Sequence, residues 1–260
     1  MQGNFAANLL NNCANCQIMT GGDVDIAGGS VVEFTEQDFN NAQILYEKEQ
    51  IKPLTEENLF RASLYCVLSA AENYTKLMRV YNSLLDNKLD SPENISSNRQ
   101  TLDEIVGKSR KDRQKKKCIY ELSLWWPGSD LPSQLVEDAQ NSKQKECELR
   151  NGFAGKAPGL GYKCASLLMR MCGYENIVPV DIHVQRFLKK KGCDVRVTDY
   201  KTEKGLTKKE YLLDEQLFSE IAKSQGILPA KFQYVLWTKK SSFSITKAAQ
   251  LGLWHKEQKY

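Results

Sequence analysis

Between two stretches of helical periodicity the chain reads Pro158-Gly159-Leu160-Gly161-Tyr162-Lys163, and no other segment restricts the fold as much. A proline followed by two alternating glycines makes a tight turn, because glycine tolerates backbone conformations and close approaches that a Cβ forbids. Ala165, Leu168 and Cys172 then recur at the spacing of one helix face. The pattern predicts a helix, a hairpin and a second helix over about residues 147–173. Backbone N–H groups at such a turn, and at the helix start behind it, point outward and can bind phosphate oxygens without reading a base.

A nucleotide-binding glycine loop is the competing reading of Gly159 and Gly161. It fails because no hydrophobic strand precedes the turn, no third glycine stands in the expected place, and Gly-Lys-Ser/Thr is absent. A purely structural hairpin stays open on the glycines alone.

Two residues near the turn carry chemistry. Lys163 falls on the first turn of the helix after the hairpin. Asp181 follows Pro179 and precedes the stripe Val184, Phe187 and Leu188, so it is expected to cap the next helix. A helix over residues 162–172 runs about 16 Å, and the connector Gly173 to Val180 spans about 26 Å when extended. Lys163 and Asp181 can therefore meet at one end of adjacent antiparallel helices, as a nucleophile and its anionic partner.

The rest of the chain reads as all-α. Thr35 with Asp38 forms a capping box before Phe39, Ala42 and Tyr46. Glu56 to Ala71 is apolar on nearly every side, as in a helix surrounded by others, and Leu77, Met78, Tyr81, Leu84 and Leu85 mark a one-faced helix. The stretch DSPENISSN reads as a polar loop, and Val195 to Lys209 as a polar excursion. Helices are also expected through Leu213, Leu217 and Ile221, and through Phe232, Val235 and Leu236. Residues 1–34, rich in Asn and Gly with one strand-like piece at Ser30 to Phe34, read as a weakly ordered N-terminal arm.

A chain of 260 residues is long enough for a large core without disulfide staples. Its apolar runs fall well short of the roughly 20 residues of a membrane span, and the N-terminus does not read as a secretory signal. The eight cysteines are then expected to be reduced thiols inside the cell. Cys13 and Cys16 lack a second ligand pair, so no metal is expected there, and Cys66, Cys164 and Cys172 read as small buried hydrophobes. The net charge of +4 is too small to indicate a polyanionic partner, but it is unevenly placed. Lys108 to Lys117 holds seven basic residues against one acidic, either a solvated helix face or a nucleic-acid contact.

Taken together, Gly159-Leu-Gly-Tyr-Lys163, Ala165-Ser166, Arg170, Gly173-Tyr174 and Asp181-x-His183 resemble the helix-hairpin-helix (HhH-GPD) superfamily of base-excision DNA glycosylases. Among these the segment looks most like the 8-oxoguanine DNA glycosylase/AP lyase group, particularly its archaeal type-two branch. Glu57-Asn-Leu-Phe to Ala71, Lys115-Lys-Lys-Cys-Ile-Tyr-Glu and Phe232 to Lys247 fit that group's order of helices, so the likeness covers roughly residues 55–247. The lack of any cysteine after Cys193 separates the chain from the iron–sulfur branch.

The resemblance implies a two-lobed helical core over residues 35–247, followed by a C-terminal extension over 248–260. It implies that Lys163 and Asp181 are catalytic, that Gly159, Gly161, His183 and Arg186 contact DNA, and that Trp237 and Lys247 lie at the base pocket. Trp125 and Trp126 are further candidates for stacking on bases. Thirteen residues follow Lys247, so base recognition by a terminal carboxylate of the archaeal kind is not expected. The implied substrate is double-stranded DNA with a damaged base, handled by a monomer without metal or cofactor. The alternative is a non-enzymatic DNA-binding module that uses the hairpin alone, which would need neither Lys163 nor Asp181.

Overall fold

Helix starts follow local capping chemistry. The Thr35 hydroxyl accepts from the N–H of Asp38 while the Asp38 carboxylate accepts from the N–H of Thr35, which closes the expected box and starts α1 (Glu36–Glu49). Thr55 caps α2 (Glu56–Leu68) in the same manner. These observations come from a computed structural model, which describes residues 34–70, 72, 74–107, 111–198 and 205–240. The remaining helices are α3 (Tyr74–Asp86), α4 (Pro92–Ser97), α5 (Arg99–Val106), α6 (Asp112–Trp125), α7 (Leu131–Asn141), α8 (Glu146–Lys156), α9 (Tyr162–Met171), α10 (Ile182–Lys190), α11 (Lys208–Ser224) and α12 (Pro229–Lys240). No strand occurs among the described residues.

Two apolar cores organise these helices. The larger runs from Leu59 to Ile177 and draws on α2 to α9, with α2 burying Leu59, Phe60, Leu64, Val67 and Leu68 at its centre. A second core begins at Val178 and is built from Val184, Phe187 and Leu188 of α10, Phe218 of α11 and Phe232 and Leu236 of α12. Helix α1 returns to this second lobe: Ala42, Leu45 and Tyr46 pack on Ala230, Tyr234 and Val235 of α12. The chain thus changes lobes between Ile177 and Val178, three residues before Asp181.

Several expectations need correction. The DSPENISSN stretch contains α4, started by Ser91, whose hydroxyl accepts from the N–H of Asn94, with Pro92 at the first helical position. Trp126 is not a stacking candidate, because it is buried against Phe60 with ring centroids 5.1 Å apart. The basic run is neither a uniformly solvated face nor a uniform patch. Lys116 lies 3.9 Å from Asp112 and Lys117 lies 3.7 Å from Glu121, while Lys115 turns inward, 3% exposed, to pair with Glu72 at 3.4 Å. Lys111 and Arg113 are exposed, and residues 108–110 of the run lie outside the described residues, as do the strand-like piece up to Glu33, Cys13, Cys16 and Lys247. Phe34, at the end of the expected arm, packs edge-on against Phe232 at 5.5 Å.

Candidate active site

The hairpin is the turn between α8 and α9. Leu160 is fully buried between the two exposed glycines, and its N–H bonds to the carbonyl of Ala157 at 3.1 Å, which closes the turn. The glycines differ in purpose. Gly159 has φ +77°, and a Cβ there would lie 2.7 Å from Cys118 Cβ, so conformation and space both require glycine. Gly161 has φ −62° and open space where its Cβ would be. It caps α9 with no side chain, leaving the first-turn N–H groups of α9 facing outward without a side-chain acceptor.

Lys163 sits on that first turn, half-buried, and its Nζ donates to Ser69 Oγ at 3.2 Å. Asp181 is the N-cap of α10. Its Oδ1 accepts from the N–H groups of His183 and Val184 at 2.8 and 3.0 Å, and its Oδ2 has no hydrogen-bond partner among the described residues. Capping therefore engages only one of the two carboxylate oxygens. Sequence spacing placed both residues at helix N-termini, and both are there.

Bonds across the lobe boundary fix how these two helix starts are related. Tyr211 of α11 brings its hydroxyl 2.9 Å from Ser166 Oγ, one turn beyond Lys163 on α9. The same hydroxyl donates to the carbonyl of Val178 at 2.9 Å and accepts from the N–H of Val180 at 3.0 Å, directly before Asp181. Behind it, buried Arg150 of α8 donates to Ser166 Oγ at 3.2 Å and to Glu215 at 2.7 Å. Glu215 also accepts from the N–H of Val178 at 3.0 Å. Burial pushes the Glu215 carboxyl above its ordinary range, and Arg150 works against that shift. The sequence reading missed Tyr211, Arg150 and Glu215. Ser166 entered only as one of the residues that carry the family resemblance.

A second polar cluster lies where α1, α9 and α12 meet. Arg170 donates to Glu49 at 3.0 Å and to Gln233, and its guanidinium stacks 3.8 Å from the Tyr234 ring centroid. Tyr234 donates its hydroxyl to Glu49. Trp237, half-buried on α12, meets the Tyr74 ring edge-on at 6.0 Å, so an aromatic pair stands where the sequence suggested one tryptophan. On α10, Arg186 is exposed and His183 half-buried. Cys66 and Cys164 are buried beside Lys163, and burial raises both thiols above their ordinary value, as expected of inert core cysteines. Among the described residues no group of three or more His, Cys, Asp or Glu side chains is arranged to hold a metal.

A lysine on the first turn of the helix that leaves a glycine hairpin, with an aspartate that caps the first helix of a second all-α lobe, is the arrangement of the helix-hairpin-helix class of DNA glycosylases. Within that class the chain belongs to the 8-oxoguanine DNA glycosylase family, which it matches over residues 42–227. It is 27% identical over 193 residues to an 8-oxoguanine DNA glycosylase/AP lyase of Korarchaeum cryptofilum, covering 74% of this chain and 82% of that one. A relative of the same name from Thermotoga petrophila is 36% identical over 88 residues, 34% of this chain and 40% of that one. The crystal structure of the 8-oxoguanine DNA glycosylase of Thermotoga maritima superposes with a TM-score of 0.56 at 26% identity, covering 79% of this chain and 88% of that chain. That of Methanocaldococcus jannaschii bound to a 15mer DNA containing 8-oxoguanine shares the fold, with a TM-score of 0.60 at 20% identity over 80% and 91% of the two chains.

Proposed function

We propose that this protein is a bifunctional DNA glycosylase/AP lyase that removes 8-oxoguanine from double-stranded DNA and then nicks the strand, acting inside the cell as a monomer. The observation that carries this reading is an amine and a carboxylate on two helix starts, with Tyr211 bonded both to Ser166 on the helix of Lys163 and to Val180 before Asp181. Phosphate binding by the hairpin alone requires neither group, which argues against a purely DNA-binding module.

The chemistry follows from what each group can do. The sugar carbon is inaccessible in stacked DNA, so the damaged nucleotide has to leave the helix first. The uncapped N–H groups at the start of α9, with Gly161 leaving room for close approach, hold the phosphate backbone. His183 and Arg186 add contacts from α10. Lys163 Nζ, as the free amine, attacks C1′ of the sugar; the bond from C1′ to the base breaks, and the base leaves with its electron pair and takes up a proton. Positive charge that develops on the sugar is stabilised by the unengaged Oδ2 of Asp181. The attached nitrogen loses a proton and its lone pair opens the sugar ring, giving a Schiff base. Loss of a proton from C2′ then expels the 3′ phosphate, and water later releases the enzyme. Trp237 is proposed at the base pocket, with Tyr74 its aromatic partner.

Borohydride reduction tests the reading. Incubated with a duplex containing 8-oxoguanine, the wild-type protein should form a covalent DNA adduct and Lys163→Ala should not. An absent wild-type adduct, or an equal one in the variant, refutes the lyase assignment. A single species at the monomer mass in sizing chromatography is expected.

A further inference from the structure

Lys163 does not stand alone on its turn of helix. Helix α2 ends at Leu68, and Ser69 follows as its C-cap, with φ −65° and ψ −14° and its N–H bonded to the carbonyl of Tyr65 at 2.9 Å. The Ser69 hydroxyl makes two contacts. It donates to the carbonyl of Cys66 at 2.7 Å, and its oxygen accepts from Lys163 Nζ at 3.2 Å.

The direction of these bonds has a stereoelectronic consequence. A serine hydroxyl holds one hydrogen. With that hydrogen on Cys66, Ser69 can only accept from the amine. An amine nitrogen that spends one N–H on an acceptor has its rotation about the Cε–Nζ bond restricted, while its lone pair stays unengaged. That lone pair is the one that must form the bond to carbon.

The turn that carries Ser69 is itself anchored. Glu72, three residues on, pairs with Lys115 at 3.4 Å, with side chains 4% and 3% exposed. Burial pushes the Lys115 amine below its ordinary value despite the pull of Glu72, and the nearby charges of Lys76 and Lys163 act in the same sense as burial. Cys164, the residue after Lys163, donates its thiol to the same Cys66 carbonyl at 3.2 Å. One carbonyl therefore joins α9 to the hydroxyl that receives the amine. A buried ion pair contributes little net stability against an apolar substitute; here it links Glu72, just beyond Ser69, to Lys115 of α6.

We infer that Ser69 is a positioning residue for Lys163: it seats the amine and leaves the nitrogen lone pair free for attack. This rests on the proposed lyase chemistry. Misplacement of a reacting atom by about 1 Å can cost on the order of a hundredfold in rate, and loss of one tether that leaves the lysine stem in place should cost less, about tenfold.

The test compares wild type, Ser69→Ala, Ser69→Thr, Ser69→Cys and Lys163→Ala in single-turnover borohydride trapping on a duplex with an abasic site. Affinity is measured in parallel on a duplex with an uncleavable tetrahydrofuran abasic analogue. Ser69→Ala is expected to trap about tenfold more slowly with unchanged affinity, and Ser69→Thr, which keeps the hydroxyl, to stay within about twofold of wild type. Ser69→Cys, close in shape but a weak acceptor, should follow the alanine variant and carries the test if alanine does not fold. Wild-type trapping by alanine or cysteine, equal slowing in threonine, or a loss confined to affinity would overturn the inference. If the wild type does not trap at all, the lyase reading fails with it; if the wild type traps and Lys163→Ala does not, the Ser69 variants decide this inference alone.

Discussion

Tyr211 Oη lies 2.9 Å from Ser166 Oγ, and through that contact a residue of the second lobe is fastened to the helix that carries the proposed nucleophile. The same oxygen serves Val178 and Val180 immediately before Asp181. The relation between Lys163 and Asp181 is thus set by a third residue that touches neither in the bonds described.

Replacing Tyr211 by Phe removes only this oxygen. The buried N–H of Val180 then loses its acceptor, and a buried polar group left unpaired costs about 1–3 kcal/mol. Tyr211→Phe should lower unfolding stability in urea by that amount. It should also slow base excision in single turnover by about tenfold while leaving duplex affinity nearly unchanged. A variant that is destabilised yet excises at the wild-type rate would show that the bridge serves stability alone.

Asp181 both caps α10 and, in the proposed mechanism, faces the sugar. Asn caps a helix about as well as Asp does, so Asp181→Asn separates the two roles. The variant should melt within a few degrees of wild type and bind lesion duplex with similar affinity, but excise about a hundredfold more slowly because the negative charge is gone. An unchanged single-turnover rate would remove Asp181 from the mechanism.

The two hairpin glycines should respond in opposite ways. Gly159→Ala places a Cβ at φ +77° against Cys118 and is expected to cost about 1–3 kcal/mol of stability. Gly161→Ala meets open space and should fold normally, yet weaken binding to undamaged and damaged duplex alike, because its Cβ would stand where the proposed function brings the phosphate backbone. Thermal melting and duplex titration on the two variants check the contrast.

Much of the site was legible because its signals are local. A glycine turn, a lysine five residues from Pro158 and a capping aspartate each depend on backbone chemistry over a few positions. What stayed hidden depends on distant pairs: Tyr211 with Ser166, Arg150 with Glu215 and Lys115 with Glu72 are separated by 45, 65 and 43 residues, and no periodicity reports them. Lys115 is the sharpest case, since six other basic residues surround it in sequence and only packing turns it inward. Helix α4 is a different failure, because Ser91 and Pro92 are ordinary start signals that polar composition outweighed.

Asp214 on α11 offers a test by pH. Its side chain is buried, its Oδ2 has no hydrogen-bond partner, and burial, aided by the charge of Glu210 and opposed by Arg196, raises its carboxyl to about 6. An unfolded aspartate titrates near pH 3.9. The folded state therefore holds this proton more tightly than the unfolded state, and the stability associated with it is complete below about pH 4 and is lost as pH rises through about 6. Above that range the fold carries a buried charge whose burial Arg196 offsets only in part. Asp214→Asn removes the charge at similar shape and should raise unfolding stability by about 1–2 kcal/mol at pH 7.5. The gain should shrink toward zero at pH 4, where wild type is already neutral there. Urea denaturation of both proteins across this range measures it, and a gain independent of pH would mean that the Asp214 charge is not its source.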